Sequence, residues 1–261
     1  MAALFDLSGK TAVITGGNGG IGLAMAKALA EHGCAVAIWG RNADKTGRAL
    51  EELRALGGAV HAEICDVTSR PAVEQAFEGT VAALGPVDGC FANAGAGGAD
   101  RGSFLSRSFD DWRAMFEINL DSTFHVLQVA ARHMADHADE KQPRGGRLVA
   151  VSSIASLFGY ALNEHYGASK IAVNGLIRAL GVELARYGIT ANAILPGFSA
   201  TEMTEELFSN RKFDDAVMPR IPLRRYGAPE DFGGIAVYLM SDASGYHTAD
   251  CFVIDGGFAA A

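Results

Sequence analysis

Short, mainly apolar runs alternate along this chain with longer stretches in which apolar positions recur every three or four residues. Strands are expected near 11–15, 34–39, 59–64, 88–92, 147–152, 189–195 and 251–254. The periodic stretches, near 20–32, 42–56, 70–84, 109–137, 163–187 and 229–240, read as helices. Ile21, Met25, Ala28 and Leu29 line one face of the first helix before the break at Gly33. Ser108, followed three residues later by Asp111, marks the start of the fourth, and Pro229 with Glu230 opens the last. Strict alternation of strand and helix predicts an α/β fold: a doubly wound, seven-stranded parallel sheet with helices on both faces, in a single domain over residues 1–261. Ligands of such a sheet bind beyond the carboxyl ends of its strands.

Between the first strand and the first helix runs Gly16-Gly17-Asn18-Gly19-Gly20-Ile21-Gly22. Glycines there let the backbone turn tightly and approach a pyrophosphate, while N–H groups of the first helical turn bind the anion. With the second strand this completes a βαβ unit of the dinucleotide-binding, Rossmann type. Tyr166 and Lys170 stand four apart, on one face of the helix predicted over 163–187. An ammonium held there favours phenolate over phenol and draws the tyrosine toward the range of an acid/base catalyst. Ser153, thirteen residues before Tyr166 and just past the run 147–151, offers a hydroxyl to fix a carbonyl or alcohol oxygen beside that phenol. These parts belong to a hydride-transferring enzyme.

Read together, these motifs resemble the classical short-chain dehydrogenase/reductase family along nearly the whole chain. The glycine turn of that family is matched by Thr15, Gly16, Gly20 and Gly22; its adenine-contacting pair by Asp66 and Val67; its strand-end signature by Asn93, Ala94 and Gly95. Asn119 resembles the asparagine that completes a catalytic tetrad with Ser153, Tyr166 and Lys170, and anchors a proton-relaying water. Pro196, Gly197 and Thr201 resemble the segment that grips the nicotinamide carboxamide, and residues 253–257 the C-terminal strand signature. The resemblance gives Lys170 a second role on the nicotinamide ribose, beside Tyr166. Gly16, Gly19 and Gly22 also fit the glycine spacing of the extended branch of the superfamily, but that branch carries a larger C-terminal substrate domain, and only about 65 residues follow Pro196. The implied activity is transfer of a hydride between NAD(P)(H) and a carbonyl or secondary alcohol.

Gly40 stands where the family carries an acidic residue for the adenosine ribose, and Arg41 follows, a side chain that binds phosphate bidentately. NADP(H) is therefore expected over NAD(H). Substrates resemble both those of 3-oxoacyl carrier-protein reductases and those of sugar or sugar-acid dehydrogenases. Residues 198–226, which mix Met203, Leu207, Phe208 and Phe213 with charged neighbours, are expected to form a lid. An NAD(H)-dependent dehydrogenase is the nearer alternative, and a dinucleotide sensor without chemistry the more distant one.

Composition changes this picture little. The net charge is −8 without a basic stripe, which argues against nucleic acid. His133 and His137 have helical metal-ligand spacing, but the glutamate that zinc proteases carry after the first histidine is absent and the segment is the polar end of a long helix, so no metal is expected. Trp112, Phe116 and Leu120 read as packing, and His165 as a neighbour of Tyr166 rotated away from it. Cys34, Cys65, Cys90 and Cys251 stand singly in apolar contexts and read as buried free thiols of a reducing cytoplasm. Asp6 comes too early for a signal peptide, and no apolar run approaches the length of a membrane span. Helices 109–137 and 163–187 carry Phe116, Phe124, Val126 and Leu127, and Val173, Leu176, Ile177 and Leu180, on more than one face. With the apolar C-terminus these point to a homotetramer, the assembly the resemblance implies, with a dimer as the lesser form.

Overall fold

In a computed structural model, described for residues 4–97, 102–138, 145–202 and 204–261, the seven apolar runs form one parallel sheet. Met203 of the expected lid lies outside these residues. The strands are β1 (Thr11–Thr15), β2 (Ala35–Gly40), β3 (Val60–Ile64), β4 (Gly89–Ala92), β5 (Gly146–Val151), β6 (Ile189–Pro196) and β7 (Cys251–Ile254), in spatial order β3-β2-β1-β4-β5-β6-β7. Between them run α1 (Gly20–Glu31), α2 (Ala43–Arg54), α3 (Arg70–Leu84), α4 (Phe109–Phe116), α5 (Ser122–Asp136), α6 (Glu164–Glu183), the short α7 (Glu205–Phe208) and α8 (Arg211–Val217), and α9 (Gly233–Met240).

Alternate strand residues feed two cores. Val13, Ala37 and Trp39 pack with Phe77 of α3, Leu127 of α5 and Ile177 of α6. Ile14, Val36 and Ile38 pack on the other face with Leu29 of α1, Leu53 of α2 and Val237 of α9. This two-faced burial explains why β1, β2 and β4 carry no polar alternation, whereas the edge strand β3, with His61 and Glu63, does. Trp39, the bulkiest buried side chain, keeps its indole N–H satisfied by donating to Thr80 Oγ1 at 3.0 Å.

The helix expected over 109–137 is two helices joined by a π turn, Glu117–Asp121. The apolar period continues through it, so the extra backbone residue leaves no trace in the pattern. Ser108 and Asp111 form the expected capping box at the start of α4. The expected helix over 229–240 begins as a 3-10 turn, Pro229–Phe232, before α9. Val126, Leu127, Val173 and Ile177, counted above toward a second apolar face, are core; Phe124, Ile171 and Val182 are the exposed apolar residues of α5 and α6. Cys34, Cys65 and Cys90 are buried thiols, while Cys251 is only half-buried because β7 is the sheet edge. Among the described residues no helix is long and apolar enough to cross a membrane.

Candidate active site

The chain leaves β1 toward β2 and β3 and returns at β4, so β1 and β4 are sheet neighbours whose carboxyl ends open a crevice. Thr15 Oγ1 accepts from the N–H groups of Asn93 and Ala94, both at 3.0 Å. Asn93 Nδ2 donates to Thr15 O at 2.9 Å and Gly16 O at 3.3 Å, which pins the two strand ends together. Gly16 and Gly20 have φ of +62° and +50°, and a Cβ on Gly22 would collide with the Gly16 carbonyl. Ile21 packs its side chain toward the core below. No side chain caps the first turn of α1, because the cap residue is Gly19. Its N–H groups form a donor set that fits a pyrophosphate, and the missing Cβ atoms leave the space for one.

At the end of β2, a Cβ on Gly40 would strike the Asn18 amide, whose Nδ2 donates to Thr46 Oγ1 at 2.9 Å. A carboxylate does not fit there without moving Asn18. Arg41 is exposed beside it. Asp66 beyond β3 is exposed and lies below the usual carboxylate range, first because the Thr68 backbone and hydroxyl donate to it and, less, because of Arg41. Val67 is buried.

Three segments meet on the other side of the crevice. Ser153 follows β5, and its Oγ accepts from Ala155 N at 3.1 Å. Tyr166 and Lys170 lie one turn apart on α6; Lys170, 5% exposed, donates from Nζ to Val151 O at 3.0 Å and stands 5.8 Å from the Tyr166 ring centroid. Asn119 sits in the π turn, 0% exposed, with Oδ1 accepting from Ala96 N at 3.0 Å and Nδ2 donating to Ser169 Oγ at 3.2 Å. A Cβ on Gly95 would come within 2.7 Å of Asn119 Oδ1 and 3.5 Å of Lys170 Nζ, so this glycine is what lets the strand end, the π turn and α6 converge. π turns concentrate at functional sites, and this one carries the only buried side chain of its five residues.

One expectation is reversed. The Tyr166 phenol is held above its ordinary value: burial raises it, and a hydrogen bond with the Ser153 side chain offsets only part of that. Lys170 does not supply the expected lowering, since its ammonium is directed to the Val151 carbonyl and is itself pushed down to about 8 by burial.

β6 ends at Pro196, and Gly197 passes against Asp255, where a Cβ would lie 2.6 Å from the Asp255 Cα. Thr201 then folds over α1, its Cγ2 3.4 Å from where a Gly20 Cβ would be. The sequence reading missed two neighbours of this turn. Lys45 reaches from α2 to place Nζ 2.5 Å from the position of a Gly19 Cβ, and pairs with Glu202 Oε2 at 2.5 Å; the 157 residues between the partners leave no local signal. Ser169, which holds Asn119, was also passed over. Elsewhere, Trp112 and Phe116 stack at 4.8 Å, His165 is buried, and His133 Nε2 accepts from Val87 N at 3.1 Å while His137 Nδ1 meets His133 O at 2.7 Å.

The chain matches the family model described as Enoyl-(Acyl carrier protein) reductase over residues 16–259. It is 35% identical over 255 residues to gluconate 5-dehydrogenase of Gluconobacter oxydans (strain 621H), covering 97% of this chain and 96% of that protein. Against 3-oxoacyl-(acyl-carrier-protein) reductase of Chlamydia pneumoniae it is 34% identical over 252 residues, covering 96% and 97%. A solved gluconate 5-dehydrogenase from Burkholderia cenocepacia J2315, in complex with NADP and tartrate, superposes with a TM-score of 0.91 at 33% identity over 99% of this chain and 98% of that one.

Proposed function

The chain belongs to the classical short-chain dehydrogenase/reductase family, and from that premise we propose that it is an NADP(H)-dependent oxidoreductase interconverting a ketone and a secondary alcohol, with Asn119, Ser153, Tyr166 and Lys170 as its catalytic residues. One observation supports the reading: Asn119 and Lys170 meet at Gly95, and Tyr166, one turn from Lys170, shares a hydrogen bond with Ser153, at the switch point of the sheet beside the uncapped turn of Gly16 to Gly22.

The nicotinamide, when bound, supplies or accepts the hydride. Gly16, Asn18, Gly20, Ile21 and Gly22 would hold the pyrophosphate, Asp66 and Val67 the adenine, Asn93, Ala94 and Gly95 the middle of the dinucleotide, and Pro196, Gly197 and Thr201 its carboxamide. Tyr166 gives the proton from Oη to the carbonyl oxygen, and Ser153 donates from Oγ to the same oxygen as negative charge develops. A tyrosine phenol is ordinarily protonated at neutral pH, the form that gives this proton. Lys170, anchored on Val151 O, orients the ribose and the phenol. Asn119 holds a water that returns protons to Tyr166. The substrate is an oxo acid or oxoacyl compound, as the names of the gluconate dehydrogenases and oxoacyl reductase lead one to expect. Residues 198–226 act as its lid, built on the aromatic cluster of Phe198, Phe208, Phe213 and Tyr226.

Cofactor choice is read from Gly40 and Arg41. Arg41→Ala should weaken NADPH by about 1.5 to 3 kcal/mol, the range of a charge-assisted hydrogen bond, and leave NADH nearly unchanged in a binding titration. Equal losses for both, or a wild type that prefers NADH, would remove Arg41 from the account.

The protein is proposed to work in the cytoplasm as a homotetramer. Phe124 of α5 and Ile171 and Val182 of α6 remain 43%, 56% and 77% exposed, apolar side chains that a partner copy would cover. Light scattering should give about four times 27.3 kDa; a stable, active monomer at micromolar concentration would exclude it.

A further inference from the structure

The corner at the end of β2 holds more positive charge than the residue after that strand supplies. Two contacts build this corner: Asn18 reaches Thr46 over Gly40, and the Lys45 ammonium stands over Gly19, the residue next to Asn18, while Arg41 follows Gly40 in the chain. Lys45 is three residues past Asn42, the cap of α2, and its side chain bridges from there to Gly19, the cap residue of α1. Its side chain is 29% exposed, while that of its partner Glu202 is 75% exposed and reaches in from the residue after Thr201. The other acids nearby are otherwise placed: Asp44 lies in the first turn of α2, and Asp66 is bound by Thr68.

We propose that Lys45 is a second cation for the 2′-phosphate of NADP(H), and that the Glu202 carboxylate is its competing anion, which the phosphate must displace. This rests on the NADP(H) reading above and deepens it. A phosphate carrying close to two charges outcompetes one exposed carboxylate for an ammonium. Because Glu202 adjoins Thr201, which lies over Gly20, its release would free the start of the lid from the turn at the moment the cofactor arrives.

Adenosine 2′,5′-bisphosphate and ADP serve as probes, in calorimetric titrations at fixed low salt. Lys45→Ala keeps the backbone N–H that donates to the Asn42 cap, so α2 survives. It should bind the 2′,5′-bisphosphate at least about tenfold more weakly and ADP unchanged. Glu202→Gln should bind the 2′,5′-bisphosphate about twofold to fivefold more tightly, as expected for removal of an exposed ion-pair partner. In a Lys45→Ala background Glu202→Gln should have no effect. If wild type holds the two probes equally, the NADP(H) reading falls and Lys45 with it. If wild type prefers the 2′,5′-bisphosphate but Lys45→Ala does not change that, or weakens both probes alike, only the role given to Lys45 is overturned. A Glu202→Gln protein with unchanged affinity refutes the competition.

Discussion

Lys170→Met is expected to abolish turnover and at the same time to remove a pH dependence from the stability of the fold. Lys170 is 5% exposed, and burial pulls its ammonium from an ordinary value of 10.5 down to about 8. Between these two values the unfolded chain binds the proton and the folded chain does not, so this group makes stability rise as pH rises through that window. Below about 8 both states carry the charge, and the folded state bears the cost of burying it. The separation of the two values corresponds to ~3 kcal/mol. Urea titrations should therefore show wild type gaining on Lys170→Met by about that amount from pH 8 to 10.5; the comparison cancels the other titrating groups. Parallel pH profiles would mean that the ammonium is well solvated and that its hydrogen bond to Val151 O does not hold it inside. Catalysis moves the other way. The variant should lose at least about 100-fold in turnover and also bind the nicotinamide cofactor more weakly, since one side chain has both duties. Retention of a destabilising buried cation is intelligible only if function needs it there.

Tyr166→Phe should lower turnover by at least about 100-fold while cofactor binding survives, because the ring still packs on α6 and only the ionisable hydroxyl is gone. The raised phenol adds a directional signature. Reduction needs the protonated form, so it should hold up well into alkaline pH; oxidation of the alcohol needs the phenolate and should climb with pH over the same range. A variant that keeps wild-type turnover would show that another group gives the proton.

The apolar periodicities carried most of the fold, because a sheet buried on both faces is built from mainly apolar runs, as in β2. What they missed was backbone detail. The π turn at Glu117–Asp121 inserts one residue per turn without disturbing the apolar face, and the 3-10 start before α9 keeps its proline signal. The candidate site was legible where chemistry is local: a glycine turn, a Tyr-x-x-x-Lys on one helix face, a hydroxyl at a strand end. It was illegible where it depends on long-range geometry. No spacing rule brings Lys45 to Glu202, or tells that Lys170 aims at the Val151 carbonyl and so leaves burial to set the Tyr166 phenol.

The most direct measurement is loss of reduced-nicotinamide absorbance when the wild-type protein and Tyr166→Phe are mixed with NADPH and a panel of acetoacetyl thioesters, keto-gluconates and cyclic ketones. The account predicts that wild type oxidises NADPH with at least one of these carbonyls, much faster than with NADH, and that Tyr166→Phe binds NADPH but does not. Tight NADPH binding without turnover on any carbonyl in the panel, or turnover that the variant retains, would contradict it.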